Sequence, residues 1–318
     1  MSIATSGLHH VTAIAGDPQR NADFYLRALG LRLVKTTANF DDPGTYHLYY
    51  GDAAGRPGSL ITFFPRPDAE SGRHGTGQAT CTAFSVPEGS IGWWRRHLAE
   101  QGIESEPVQE RDGEEVLGLR DPDGLRLELV AHPQPDPREP WDGLVPAEHA
   151  VRGLHSVALS VTEEDATAEM LRGLGIDFTA QQGERLRFAA GDGGPGTLVD
   201  VVVAPREPEG LVAAGTVHHV AWRAPDEAAQ LAWREELVGG GVDVTEIRDR
   251  QYFRSIYFRE PGGTLLEIAT DEPGFTADEP LLELGRALKL PPWLEPDREQ
   301  IRRALPRLDL PAENNPGA

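Results

Sequence analysis

Thr216-Val217-His218-His219-Val220 repeats Gly7-Leu8-His9-His10-Val11 more than two hundred residues later, and Gly153-Leu154-His155-Ser156-Val157 repeats it in between. Ala79-Thr80-Cys81-Thr82-Ala83 is a fourth, weaker version. Such self-similarity marks an internally duplicated fold. Each start is followed by a helix-like stretch. Asp17 to Leu29 carries a capping Asp and Pro18 at the first helical position, and Ser90 to Gln101, Glu163 to Leu174 and Asp226 to Val238 take the equivalent places. Gly30, Gly102, Gly175 and Gly239 then read as helix ends.

Short strand-like runs come next. Arg120 to Glu128 and Arg259 to Glu267 are nearly the same phrase, a Pro-x-Gly turn feeding an alternating strand. Gly58 to Thr62 and Gly196 to Asp200 close the other two repeats. The unit is therefore β-α-β-β-β, present four times at 7–65, 78–132, 152–205 and 215–271. The chain is α+β, and its modules are expected to form two curved-sheet barrels. Residues 1–132 and 152–271 would hold two modules each, joined by a proline-rich extended connector at 133–151 (Pro133, Pro135, Pro137, Pro140 and Pro146). Residues 272–318 read as a helical tail, with short amphipathic helices over Leu281 to Leu290 and Asp297 to Leu305, packing over the body.

The charge balance narrows the partners. With 51 acidic and 30 basic residues the net charge is −21, and such a surface repels phosphate backbones and anionic lipid. Nucleic-acid and membrane partners are not expected; a neutral phenol or a small polar metabolite is. Cys81 is the sole cysteine, so it forms no internal disulfide and reads as a buried small hydrophobe. No leader-like or membrane-length apolar run stands in the sequence, which points to the cytoplasm. Edge strands and an exposed tail allow a homo-oligomer. The acidic runs Glu104 to Glu115 and Glu272 to Glu283 read as solvated surface, and of Trp93 and Trp94 one should pack on the sheet.

Aligning the modules locates the chemistry. The third place of each opening strand holds His10, Thr82, Ser156 and His219, and the last place of each closing strand Thr62, Glu128, Asp200 and Glu267. Matched places should face the same way in every module. Modules one and four supply His10, His219 and Glu267 with a nonligating Thr62, so these two are expected to build one metal site. Modules two and three offer no imidazole at these places, and Glu128 and Asp200 should close a vacant site with hydrogen bonds. Two histidines and one carboxylate leave coordination positions open on one side, the usual arrangement for Fe(II) that handles O2. Mn(II) and Zn(II) accept the same ligands. Strand alternation points His9 and His218 away from the metal face. His47 lies on an alternating strand and reads as structural, with a place in the pocket left open.

These modules and ligands resemble the vicinal oxygen chelate superfamily, and more narrowly the ring-cleaving dioxygenases of the hydroquinone 1,2-dioxygenase group. The likeness is carried by Leu8 to Thr12, Tyr46 to Tyr49, Glu148 to His155, Val217 to Val220, and Arg250 to Phe253 through Glu267. It implies iron on His10, His219 and Glu267, with supporting or catalytic roles for His9, Thr12, His218, Arg250 and Tyr257. It further implies an extradiol-type dioxygenase taking a small aromatic substrate and O2. A glyoxalase-like isomerase or thiol transferase, and a noncatalytic module that binds a small aromatic, are the alternatives on the same fold. Thr62 at the fourth ligand place speaks against the first, and the retained triad against the second.

Overall fold

In all four modules the opening and closing strands run parallel and side by side, and the two middle strands extend the sheet outward from the closing strand. The computed structural model describes residues 4–133 and 136–310; Pro135 of the connector and the chain end from residue 311 lie outside them. Module one comprises β1 (Leu8–Ala15), α1 (Pro18–Asp23), which continues as a π-helical turn over Phe24–Ala28, then β2 (Arg32–Asn39), β3 (Asp42–Gly51) and β4 (Leu60–Pro65). Module two comprises β5 (Gln78–Val86), α2 (Ile91–Glu100), β6 (Gln109–Arg111), β7 (Glu114–Arg120) and β8 (Arg126–Ala131). Module three comprises β9 (Gly153–Val161), α3 (Asp165–Gly173), β10 (Ile176–Gln182), β11 (Arg185–Ala190) and β12 (Leu198–Val203). Module four comprises β13 (Thr216–Ala224), α4 (Glu227–Gly239), β14 (Arg248–Asp249), β15 (Arg254–Arg259) and β16 (Leu265–Thr270).

Two curved half-barrel sheets result. β1 pairs antiparallel with β13, which joins modules one and four in the order β14-β15-β16-β13-β1-β4-β3-β2. β5 pairs antiparallel with β9, which joins modules two and three. One face of each opening strand enters the shared core: Val11, Val157 and Val220 are all buried there. The residues between them turn into the concavity of the half-barrel.

Four bulges interrupt that alternation at matched places. The β1–β13 register steps from Leu8 to His10 and from His219 to Val217, and β5–β9 steps from Ala79 to Cys81 and from Ser156 to Leu154. The residues passed over are His9, His218, Thr80 and His155. A bulged residue leaves the ladder and re-aims its side chain, so His9 and His218 do not follow simple alternation.

Several local expectations change in three dimensions. The fourth helix ends at Gly239 and Gly240, and the left-handed glycine that turns the chain is Gly241 (φ 84°). Among its described residues the tail is not mainly helical. Leu281–Glu283 is a single 3-10 turn, β17 (Leu288–Lys289) adds in parallel to the edge of β2, and of those described residues only α5 (Arg298–Ala304) is α-helical. Two members of the acidic run Glu272 to Glu283 also leave solvent, although Glu272 and Glu283 stay exposed. Asp278 and Glu279 both reach the fully buried Lys35, Asp278 at 2.6 Å. Phe275 and Leu284 pack against Tyr49, Tyr252 and Phe253 inside the first half-barrel, so the tail seals its back. The connector is fastened as well: Arg138 donates to the Gly58 carbonyl at 3.0 Å, and the His149 carbonyl accepts from the indole of the buried Trp94. Trp93 is partly exposed and stacks on His149.

Candidate metal centre

β1, β13 and β16 lie side by side, and their concave-face positions deliver His10, His219 and Glu267 to one point. His10 Nε2 is 3.3 Å from His219 Nε2 and 3.4 Å from Glu267 Oε2, and His219 Nε2 is 2.9 Å from Glu267 Oε2. All three residues are buried. Among the described residues they form the group of His, Cys, Asp and Glu whose ligand atoms lie within 4.8 Å of one another. Bonds of about 2.1 Å at right angles separate their ends by about 3.0 Å, and at the tetrahedral angle by about 3.4 Å. The observed spacing therefore suits one ion of either geometry. Glu267 Oε2 makes no hydrogen bond despite its near neighbours, and a buried carboxylate oxygen without a donor is what a cation would satisfy. Burial alone would raise the Glu267 carboxyl, but His10 and His219 outweigh it and hold it well below the usual range. It stays ionised, as a ligand must. Ser255 donates to its other oxygen, Oε1.

A second set of groups fixes the ligand rings. His9 Nδ1 stands 2.9 Å from His10 Nδ1, and His9 Nε2 stands 3.2 Å from the Thr270 carbonyl. Burial, then the neighbouring His10, push His9 well below its ordinary pKa. A neutral His9 that donates from Nε2 to Thr270 must accept at Nδ1, which puts the proton of His10 on Nδ1 and leaves Nε2 free to ligate. His218 meets His219 in the same way, Nδ1 to Nδ1 at 2.8 Å, and burial plus His219 lower it to about 3. The bulges thus turn both preceding histidines onto their ligand neighbours, contrary to the direction alternation implies.

Thr62 occupies the fourth ligand place. Its hydroxyl is held by Thr12 Oγ1 at 2.7 Å and His47 Nε2 at 2.9 Å, and Tyr49 OH lies 2.8 Å from His47 Nδ1. His47 lines the cavity, the place that strand alternation leaves open beside a structural role. Its one available signal was its two-residue spacing from Tyr49 on β3. Burial, followed by the charges of His10 and His219, keeps His47 neutral. Across the site Arg250 Nε donates to Tyr257 OH at 3.1 Å, and Arg250 Nη1 reaches Asp41 at 2.9 Å. Burial and Glu267 push the Tyr257 hydroxyl up, so it remains a donor. The cavity holds about 700 Å³ and has Ile14, Phe40, Phe64 and Phe253 among its walls.

The second half-barrel shows what fills the equivalent place. Cys81 pairs with Ala158 as His10 pairs with Ala221, so Cys81 and Ser156 stand at the histidine positions. Thr82, one residue on, faces the opposite side with its hydroxyl buried and unpartnered. Cys81 is partly exposed and does not sit in the apolar core. Glu128 accepts two hydrogen bonds from Arg111, and Asp200 accepts from Arg187 Nε at 2.9 Å and Arg185 Nη1 at 2.8 Å. Guanidinium groups take the position a metal would need. Glu114 departs from the solvated acidic run and bonds His155 at 3.0 Å and Arg187 at 3.2 Å.

Comparison with known proteins places these features in context. The profile of the Glyoxalase/Bleomycin resistance protein/Dioxygenase superfamily matches residues 7–129 and 153–268. A Bacillus subtilis (strain 168) protein named "Putative ring-cleaving dioxygenase MhqO" is 43% identical over 307 residues, covering 96% of this chain and 97% of its own. The "Chlorohydroquinone/hydroquinone 1,2-dioxygenase" of Sphingobium indicum is 35% identical over 307 residues, covering 94% and 95%. A crystal structure from Bacillus subtilis, titled as a "putative dioxygenase", superposes with a TM-score of 0.92 at 42% identity, covering 97% of this chain and 99% of that one. Glyoxalase I from Zea mays superposes with a TM-score of 0.63 at 14% identity, covering 83% and 92%, a likeness of fold alone.

Proposed function

The chain belongs to the glyoxalase/bleomycin resistance protein/dioxygenase superfamily, and on that premise we propose that it is an Fe(II)-dependent, extradiol-type ring-cleaving dioxygenase acting on a hydroquinone or catechol ring with O2. The observation that carries this reading is the His10–His219–Glu267 cluster with Thr62 tied back to Thr12 and His47. Three protein ligands and a withheld fourth leave room at the metal for two small molecules. The names of the relatives point to the same reaction class.

Fe(II) held there would supply Lewis acidity toward a phenolic oxygen and redox chemistry toward O2. The protein's own groups do the rest. The aromatic walls Phe64 and Phe253 would bracket a ring beside the triad and exclude water. Neutral His47 would take up a phenolic proton by way of Tyr49, whose hydroxyl passes its own proton to Nδ1 and accepts the phenolic one, while Nε2–H is held by Thr62. Tyr257 would donate its hydroxyl proton in a hydrogen bond to developing oxyanion charge, oriented by Arg250, whose guanidinium adds a fixed positive charge. His9 and His218 would act through His10 and His219, holding each in the ligating tautomer.

Metal analysis combined with oxygen uptake tests the reading. Protein loaded anaerobically with Fe(II) should consume O2 on addition of hydroquinone or catechol and yield a ring-opened acid. Tightly held Zn(II) without uptake would instead mark an isomerase, and absence of any bound metal would mark a binding protein.

A further inference from the structure

The cavity carries the opposite charge bias from the rest of the molecule. Acidic residues outnumber basic ones by 51 to 30 over the chain, yet Arg66, Arg248, Arg250 and Arg259 all line this one cavity. Besides the triad's Glu267, the only acids on its wall are Asp41 and Asp42. Asp41 is engaged by Arg250 at 2.9 Å and Arg248 at 3.5 Å. Asp42 meets Arg66 at 3.1 Å, but both side chains are about half exposed (47% and 49%), so solvent screens that pair heavily. Arg259 meets no carboxylate among the described residues. Its Nη1 donates to the Gly263 carbonyl at 2.8 Å, which leaves most of its donors free.

Topology brings Arg259 and Arg66 to the same end of the cavity. Arg259 lies two residues beyond Tyr257 on β15, on the same face, opposite Leu265 at the start of β16. Arg66 follows the end of β4. Because β4 runs parallel to β1, β16 parallel to β13, and β1 antiparallel to β13, the end of β4 and the start of β16 lie at the same edge of the sheet, with β13 and β1 between them. His218 lines the same cavity as both arginines. Space is available there too: an apolar cavity of about 150 Å³ suffices for benzene, and this one holds about 700 Å³.

We infer that this end of the cavity is a subsite for an anionic substituent on the aromatic ring, with the Arg259 guanidinium as its main contact and Arg66 adding positive charge from across the same end. A carboxylate suits it best, since two parallel N–H groups of one guanidinium match its two oxygens. The inference rests on the ring-cleaving reading for the position of the ring, and it deepens that reading by naming Arg259 as a specificity-determining residue. The substrate is then a dihydroxyaromatic acid whose acidic arm points away from the metal.

Anaerobic calorimetric titration of the Fe(II)-loaded protein with 2,5-dihydroxyphenylacetate and with its methyl ester tests this. Because Arg259 is exposed, the acid should bind about 2- to 5-fold tighter than the ester, the range of a solvent-screened ion pair, and the advantage should shrink as salt is raised. Arg259→Gln should abolish most of the advantage, and Arg259→Lys should keep part of it. Equal binding of acid and ester to the wild type would overturn the subsite. So would an advantage that survives Arg259→Gln, which would mean that the carboxylate binds the metal. Oxygen uptake on the same two compounds reads the reaction separately. No uptake with the acid preference intact would sink the dioxygenase reading and leave the subsite standing.

Discussion

Lys35→Met should cost about 3–5 kcal/mol of folding stability, an effect transmitted to the metal centre through the tail. Lys35 Nζ is fully buried on the concave side of β2, 2.6 Å from Asp278, in contact with Glu279, 3.2 Å from the Phe275 carbonyl and 4.8 Å above the Tyr252 ring. Glu279 is only 5% exposed. Removing the cation strands that carboxylate, and breaking a buried pair from one side typically costs about 3–5 kcal/mol. For a chain of 318 residues a loss near 4 kcal/mol corresponds to a fall of roughly 6 °C in Tm. Replacing the whole set (Lys35→Met, Asp278→Asn, Glu279→Gln) should recover most of the loss, because no charge is then left uncompensated. Urea unfolding followed by tryptophan fluorescence measures both variants. Proteolysis should also cut the single variant faster between residues 272 and 290, where the tail is anchored. A single variant within 1 kcal/mol of wild type, or a triple variant no better than the single, would refute the assignment of Lys35 as the anchor.

Three further outcomes are expected. His9→Phe removes the acceptor for His10 Nδ1 and should weaken Fe(II) binding about 10- to 100-fold, as measured by competition with a chelator. His47→Gln and Tyr257→Phe should each lower turnover on the phenolic substrate about 100- to 10,000-fold with the metal content unchanged; unchanged turnover removes that residue from the proton path. The third outcome concerns pH. Burial pushes the Asp121 carboxyl up from 3.8 to about 6, so between those values the folded protein holds more protons than the unfolded chain. Stability contributed at this position is then greatest at low pH, falls as pH rises toward 6, and is flat beyond. Asp121→Asn should therefore gain on the wild type by up to about 3 kcal/mol between pH 4 and pH 7, and a difference that does not vary with pH would count against it.

How far the site could be read in advance differs residue by residue. The His10, His219 and Glu267 positions were legible because duplication repeats the same strand in each module, so matched places must share a face. His9 and His218 were misread for a physical reason. Their direction depends on bulges, and a bulge is a property of two paired strands, visible only once β1 and β13 are laid side by side. For the same cause Cys81, and not Thr82, holds the matched register position. Arg111, Arg185 and Arg187, which neutralise the middle-module carboxylates, come from strands whose register against β8 and β12 nothing local specifies. His47 needed the contact with Thr62, fifteen residues away across a hairpin, to be recognised.

The amino-acid sequence by itself determined the fourfold βαβββ unit, the α+β class and the three side chains able to hold a metal, because periodicity and duplication are written along the chain. Tertiary structure decided how those side chains are supported. The bulges that turn His9 and His218 onto their neighbours, the Thr62–His47–Tyr49 chain and the buried Lys35 anchor all depend on strand pairing and on the returning tail. Such arrangements are chosen by geometry in space, which neither residue type nor spacing along the chain specifies.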